Sequence, residues 1–192
     1  MLGIGDRFPD FSLKSVLAEK LPSIKKIEEA FTGISNTDFT NKWTVFFFYP
    51  KDFTFVCPTE LVAFNELHAD FDDCDAQIFG CSTDSEFVHM AWCRENEEIN
   101  NLKFPLISDI KGSLSLELGI LDKVEGVAQR ATFIIDPDGI IRHVSVNDLN
   151  VGRNPREILR VLNALQTDEL CPCNWTKGEE TIDLDNINVM LS

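Results

Sequence analysis

The sequence predicts an α/β fold, with a mixed central sheet that is flanked by helices. In the first half of the chain, apolar runs typical of buried strands alternate with segments whose apolar residues recur at helical spacing. In the second half, two β-rich runs flank Pro137-Asp138-Gly139, and an amphipathic helical pattern follows them. A chain of 192 residues with 44% hydrophobic content is long enough for one domain with a sizeable core.

The first elements of the chain follow from its apolar pattern. A strand or hairpin arm is predicted over residues 5–13, where apolar residues alternate around Pro9, whereas residues 14–42 favour no single structure. Residues 43–49 form a continuous apolar run that predicts a strand buried on both faces. A helix follows, and these positions recur in it at helical spacing: Leu61, Phe64, Leu67, His68 and Phe71.

The remaining elements complete an alternating order. They are predicted as a strand over 77–82, a helix over 85–99, a short helix over 112–118, hairpin strands over 131–136 and 140–146, and a helix over 155–167. Ser85 is the expected N-cap of the second helix, and Pro155 suits the first position of the last one. This is the order of a thioredoxin-like α/β sandwich. We expect one domain over residues 1–167 and a polar C-terminal extension over 168–192.

Cys57 lies where the strand pattern gives way to a helical pattern. Pro50 breaks the strand, and Pro58 suits the first turn of a helix because its missing N–H costs nothing there. At a helix N-terminus, the helix dipole and the unpaired backbone N–H groups favour a thiolate over a thiol. Cys57 is therefore the candidate reactive residue, and the plainer alternative is a small buried apolar residue.

The composition argues against several classes of protein. The formal net charge is −15 and there is no basic run, which disfavours partners such as nucleic acid or an anionic membrane surface. The sequence shows no secretory signal pattern and no apolar run near the roughly 18 residues that span a bilayer, so the expected location is the cytoplasm. Glycine-rich phosphate loops and histidine clusters are absent, so we expect no cofactor and no metal. Six irregularly spaced cysteines do not indicate a disulfide scaffold.

Residues 48–60 contain the pattern Pro-x-x-x-Thr-x-x-Cys as Pro50, Thr54 and Cys57. Other matching motifs occur in order along the chain: Gly5-Asp6-x-Phe8-Pro9-x-Phe11, Ser82-x-Asp84-Ser85, His89-x-x-Trp92, Arg130-Ala131-Thr132-Phe133-Ile134 and the late Cys171-Pro172. With these motifs, the whole chain resembles a typical 2-Cys peroxiredoxin of the alkyl hydroperoxide reductase C type. Because Cys173 follows Cys171, the chain most resembles the branch of this family with a doubled C-terminal Cys-x-Cys.

The resemblance implies a thiol-specific peroxidase that reduces hydrogen peroxide and organic hydroperoxides in antioxidant defence. The site residues that it implies are the peroxidatic Cys57, the pocket residues Pro50, Thr54 and Arg130, the resolving Cys171 and a candidate auxiliary resolving Cys173. It also implies an intersubunit disulfide in a homodimer, and rings of ten or twelve chains. The implied external reductant is a dithiol protein of the alkylhydroperoxidase D type, thioredoxin or the flavoprotein F subunit.

The residue types fit this chemistry. Attack by a thiolate on a peroxide releases an alkoxide or hydroxide, so the site needs donors aimed at developing negative charge. The Thr54 hydroxyl can accept from the peroxide and donate to sulfur, and Arg130 offers a fixed charge and a fork of N–H groups. Plainer interpretations stay open, because Thr54 could be only a helix cap and Arg130 only a surface ion pair.

Other interpretations concern the rest of the chain. Three further cysteines are interpreted as packing residues: Cys74, Cys81 and Cys93. His89 and Trp92 are interpreted as packing or subunit contacts, and the tail cysteines could be half of a zinc site. Two other classes of function stay open. A disulfide oxidoreductase would need a second cysteine where Glu60 stands, and a non-enzymatic holdase has no signature in the residues.

Overall fold

The computed structural model describes residues 1–39 and 41–184. Met1–Arg153 forms one compact unit, and the chain from Asn154 onward forms a second. The predicted boundary between residues 167 and 168 stays a prediction, and residues 185–192 of the predicted extension lie outside the described residues. Within the described part of the chain, no helix is long and apolar enough to cross a membrane.

The first unit is built on a mixed sheet. Its strands are β1 (Ser12–Val16), β2 (Phe31–Ser35), β3 (Trp43–Phe48), β4 (Ala76–Ser82), β5 (Leu106–Ser108), β6 (Leu121–Asp122), β7 (Val127–Ala128), β8 (Arg130–Ile135) and β9 (Ile141–Asn147). Seven of them form one sheet in the order β2-β1-β5-β4-β3-β8-β9, and β6 pairs with β7 separately. Strand β4 pairs in parallel with β3 and β5, and the other neighbours are antiparallel. The predicted mixed sheet is therefore confirmed.

The α-helices follow the predicted order. They are α1 (Cys57–Glu66), α2 (His68–Asp72), α3 (Glu86–Glu95) and α4 (Ser113–Glu117) in the first unit and α5 (Pro155–Leu165) in the second. The single helix predicted after Cys57 is wrong in one respect, because it is interrupted at Leu67 between α1 and α2. Ser85 caps α3 as predicted, its hydroxyl accepting from the Val88 N–H, but this helix ends at Glu95 rather than near residue 99.

The N-terminal segment differs most from its prediction. Of residues 5–13, only Ser12 and Leu13 belong to a strand, and the buried Phe8 packs instead with its ring centroid 5.8 Å from that of Phe133. The alternation of apolar residues there reflects burial of a loop against the core rather than a strand. The segment that favoured no single structure contains the end of β1, strand β2 and three short 3-10 helices: Ala18–Ser23, Ile27–Ala30 and Asn36–Phe39.

Strand β3 is buried on both faces, as its apolar run predicts. The Phe47 ring stacks on Phe64 of α1, with 4.1 Å between centroids. On the other face, Phe46 stacks on Phe48 at 5.0 Å, and both belong to the main hydrophobic cluster. Because successive strand residues point to opposite faces, the aromatic side chains of β3 pack on both faces of the sheet.

Candidate active site

Cys57 is the first residue of α1, next to Pro58 in the first helical turn. The backbone N–H of Tyr49 still donates to Cys81 O of β4 at 2.9 Å, so the chain leaves the sheet only after this residue. The intervening loop carries Pro50 and Thr54. No side chain caps the N-terminus of α1, whose first-turn N–H groups point toward the start of the helix. The Cys57 side chain is 0% exposed.

Arg130, the first residue of β8, reaches the sulfur from the neighbouring strand. Its Nη1 donates to Cys57 Sγ at 3.5 Å and to Glu60 Oε2 at 2.6 Å. Its Nε–H donates to the Leu149 carbonyl at 2.7 Å, which fixes the plane of the guanidinium. Arg130 is only 4% exposed, so it is not a surface ion pair.

Cys57 and Arg130 line a cavity of about 500 Å³. Its wall also includes Pro50, which is buried, and Thr54, which is half-buried, so all four residues predicted for the pocket meet there. The Thr54 hydroxyl donates to the Lys51 carbonyl at 2.9 Å rather than to the sulfur. Its oxygen can therefore still accept a hydrogen bond from a bound molecule.

Two site residues escaped prediction from the sequence, Glu60 and Arg153. Glu60 accepts Arg130 Nη1 and also the Arg153 side chain, whose Nε lies 2.8 Å from Oε1 and whose Nη2 lies 3.1 Å from Oε2. Arg153 further donates to the carbonyls of Phe48 and Ala131. Glu60 follows Cys57 by three residues and so shares its helix face, which was an available signal. Nothing in the sequence around Arg153 marks it.

The cluster of Glu60, Arg130 and Arg153 carries one surplus positive charge beside Cys57. The three side chains are between 2% and 4% exposed. Burial lowers the pKa of Arg153, and Glu60 opposes this effect. A buried charge is costly unless it is compensated, so an anion at the sulfur position completes the cluster. A thiolate, or the charge that develops on an oxygen bound there, can supply that anion.

A second buried network holds the loop before Cys57. Asp52 lies 2.7 Å from His89 Nδ1 and accepts the Tyr49 hydroxyl at 2.9 Å. His89 Nε2 lies 3.2 Å from the carbonyl of Ile107, which can only accept, so this nitrogen carries a proton. Burial raises the pKa of Asp52 and raises that of Tyr49 well above its usual value. His89 therefore lies outside the cavity and links the loop before Cys57 to β5.

The other buried cysteines are placed for packing. Burial raises the pKa of the Cys81 thiol well above its usual value and that of Cys93 to about 12. Cys74 is buried as well. Among the described residues, no group of three histidine, cysteine, aspartate or glutamate side chains is arranged to hold a metal ion.

The family model described as AhpC/TSA matches residues 4–144. The chain belongs to the AhpC/TSA family. It is 49% identical to alkyl hydroperoxide reductase C of Mycolicibacterium smegmatis over 185 residues, which cover 95% of this chain and 94% of that protein. Among solved structures, it superposes on Mycobacterium tuberculosis AhpC with a TM-score of 0.85 at 48% identity, covering 91% and 99% of the two chains.

A second solved structure is more distant in sequence. The reduced 2-Cys peroxiredoxin of Plasmodium vivax matches with a TM-score of 0.84 at 34% identity and covers 94% of this chain. The comparisons confirm the predicted thioredoxin-like peroxiredoxin fold and the predicted class, a thiol-dependent peroxidase. The individual site residues and the significance of the doubled tail cysteine stay predictions.

The tail cysteines of this family member lie in the second unit. Cys171 is half-buried, and its sulfur lies 3.4 Å from the Thr167 hydroxyl and 3.8 Å from the Ala164 carbonyl at the end of α5. Cys173 is exposed. Both are thiols in this structure, as is Cys57. Cys171 is therefore held against its own helix, whereas Cys173 faces solvent.

Proposed function

We propose that Cys57 is the peroxidatic cysteine of a peroxidase that reduces hydrogen peroxide and organic hydroperoxides, with Pro50, Thr54 and Arg130 as its pocket. The observation that carries the proposal is the 3.5 Å contact between Arg130 Nη1 and the buried Cys57 sulfur in the wall of a cavity. Packing in the core alone would not require a buried guanidinium beside the cysteine or an adjoining cavity.

In the first step, the Cys57 thiolate attacks the terminal oxygen of a hydroperoxide, R–OOH. The S–O bond forms as the O–O bond breaks, the sulfur loses two electrons to the peroxide, and RO⁻ leaves and takes a proton from water. The product on the enzyme is a sulfenic acid. Full ionisation of an ordinary thiol raises its thiolate fraction at pH 7 only about 30-fold. Enzymes typically accelerate reactions on the order of 10⁶-fold or more, so oriented donors must supply most of the effect.

The cavity walls offer suitable groups for this step. In the described part of the chain, Arg130 Nη2 has no protein acceptor, so its N–H groups remain for the peroxide oxygens. The Thr54 hydroxyl donates a hydrogen bond to the Lys51 carbonyl, and its oxygen can accept a hydrogen bond from the peroxide O–H, which orients the attacked oxygen. The buried Pro50 limits access of water to the sulfur.

In the second step, the thiol of Cys171 condenses with the sulfenic acid, so a disulfide forms and water leaves. We propose that this thiol comes from a second copy of the chain in a homodimer, and that dimers assemble into a ring of ten or twelve. An external dithiol then reduces the disulfide. Its candidates are an alkylhydroperoxidase D-type protein, thioredoxin and the flavoprotein F subunit, and the proposed location is the cytoplasm.

A simple thiol count tests the assignment. One equivalent of hydrogen peroxide added to the reduced protein should remove about two thiols per chain, because one becomes sulfenic acid and a second condenses with it. Cys57→Ser should lose both this reaction and catalytic peroxide consumption, whereas Cys74→Ser, as a matched control, should keep them. Full peroxidase activity in Cys57→Ser would refute the proposal.

A further inference from the structure

The cavity at Cys57 is larger than a peroxide group requires. Its volume is about 500 Å³, whereas a water molecule, which is close in size to one peroxide oxygen, takes a share of about 30 Å³ in the liquid. Apolar side chains form part of the remaining wall, among them Phe55, Val127 and Leu149. The cavity therefore has room for the organic group of a hydroperoxide. The charges on its wall affect which organic groups can bind.

The positive and negative charges on the cavity wall do not balance. Lys51 Nζ lies 3.2 Å from Glu125 Oε2, so these two charges form a pair. Arg130 is engaged by the buried Glu60. Asp122 and Asp148 also line the cavity, and neither has an ion-pair partner within residues 1–39 and 41–184. Two uncompensated negative charges therefore stand on the wall.

Both carboxylates are held in place by the backbone. Asp122 Oδ1 accepts the N–H groups of Val124 at 2.9 Å and Glu125 at 3.0 Å, and these bonds lower the pKa of its carboxyl group. Asp148 Oδ1 accepts the N–H of Asn150 at 3.2 Å. Two backbone bonds thus orient the Asp122 carboxylate, and one orients that of Asp148. A substrate that carries its own negative charge meets them on entry.

We propose that Asp122 and Asp148 are specificity-determining residues, which make the cavity accept neutral organic hydroperoxides and reject those that carry an anionic group. This inference rests on the proposed function of Cys57. Like charges within several ångströms at a partly exposed site repel by an amount that corresponds to about fivefold in rate for each carboxylate. The surplus positive charge behind Cys57 does not offset this repulsion, because the thiolate neutralises it.

A pair of substrates that differ only in charge tests the proposal. We suggest 6-hydroperoxyhexanoate, which is an anion, and its neutral methyl ester. The measured quantity is the ratio of kcat/KM for the ester to that for the anion, taken from the oxidation of reduced protein. Because both substrates report on the same folded molecules, a loss of folded protein cannot change this ratio.

The variants are Asp122→Asn, Asp148→Asn and both together. Asparagine keeps the acceptor oxygen that each turn uses and removes only the charge. Asp70→Asn on α2 is the matched control, because Asp70 is exposed and does not line the cavity. It removes one negative charge, as each single variant does, so it measures the general repulsion of a chain whose net charge is −15.

The wild-type protein should favour the ester by more than tenfold at low salt, and the double variant should lose most of this preference. The preference should also shrink at 1 M salt, where the screening length is about 3 Å. Equal rates for the two substrates in the wild type, or an equal change of the ratio in Asp70→Asn, would overturn the inference. Failure of the proposed function is a separate result, because then hydrogen peroxide would leave Cys57 unoxidised.

Discussion

At the scale of single residues, the site depends on one buried carboxylate that pairs with two buried guanidinium groups. Glu60 accepts both Arg130 and Arg153, and Arg130 turns one nitrogen to both Glu60 and Cys57 Sγ. Glu60 thus orients the guanidinium that contacts the sulfur. Among the hydrogen bonds of the described residues, none joins Glu60 to the sulfur itself. It is a positioning residue, and its charge also stabilises two arginines that are removed from water.

Glu60→Gln should therefore impair both stability and catalysis. Two buried guanidinium groups would lose their carboxylate, which costs on the order of 3–5 kcal/mol when one partner of a buried pair is removed. Urea unfolding measures the change in free energy, and the rate of Cys57 oxidation measures the effect on catalysis.

The matched control for this change is Glu66→Gln, at the exposed last residue of the same helix. A substitution there should change stability by less than about 0.5 kcal/mol. If Glu60→Gln were as stable and as active as Glu66→Gln, the cluster would have no role.

At the scale of elements, the sequence predicted the features that depend on neighbouring residues. The apolar run of β3, the turn at Pro137-Asp138-Gly139 and the N-cap Ser85 each act through neighbouring residues, and the structure confirms all three elements. Contacts between distant residues were not predictable in this way. Arg153 meets Glu60 across 93 positions of sequence, and the β6–β7 hairpin, which adds Asp122 to the cavity, has too few residues to show a period.

Helix α3 provides a test of how burial controls thiol reactivity. The pKa of Cys93 is raised to about 12, so its thiolate fraction at pH 8 is on the order of 10⁻⁴. This fraction rises about tenfold with each pH unit and reaches about one half only near pH 12. Iodoacetamide at pH 8 should modify the exposed Cys173 quickly and Cys93 only after denaturation. Mass spectrometry of the labelled peptides measures both. Equal labelling rates in the native protein would show that α3 opens readily.

At the scale of the whole molecule, the burial of Cys57 sets a condition on the catalytic cycle. A sulfur with 0% exposure cannot form a disulfide with another chain unless the first turn of α1 opens. In the proposed cycle, this burial keeps other thiols away from Cys57, and a small peroxide approaches the sulfur from the adjoining cavity. The proposed cycle therefore alternates between a closed form that reacts with peroxide and an open form that reacts with the tail thiol.

The state of the oxidised protein follows from this cycle. If the resolving thiol belongs to a second copy, one equivalent of peroxide should convert the chain to a disulfide-linked dimer on a non-reducing gel. Cys57→Ser should remain a monomer on that gel, because it cannot form the sulfenic acid. An oxidised wild-type protein that runs as a monomer would show that the disulfide forms within one chain.

The two tail cysteines differ in exposure, and this difference bears on which of them resolves. Cys171 is half-buried against the end of α5, whereas Cys173 lies two residues further on and faces solvent. We expect Cys171 to attack first and Cys173 to be able to replace it, because the short connection brings either sulfur to the same place. Cys171→Ser should therefore keep partial turnover, while the double variant with Cys173→Ser should react once and stop with Cys57 as sulfenic acid. Steady-state peroxide consumption with excess dithiol measures this, and an inactive Cys171→Ser protein would show that Cys173 has no resolving role.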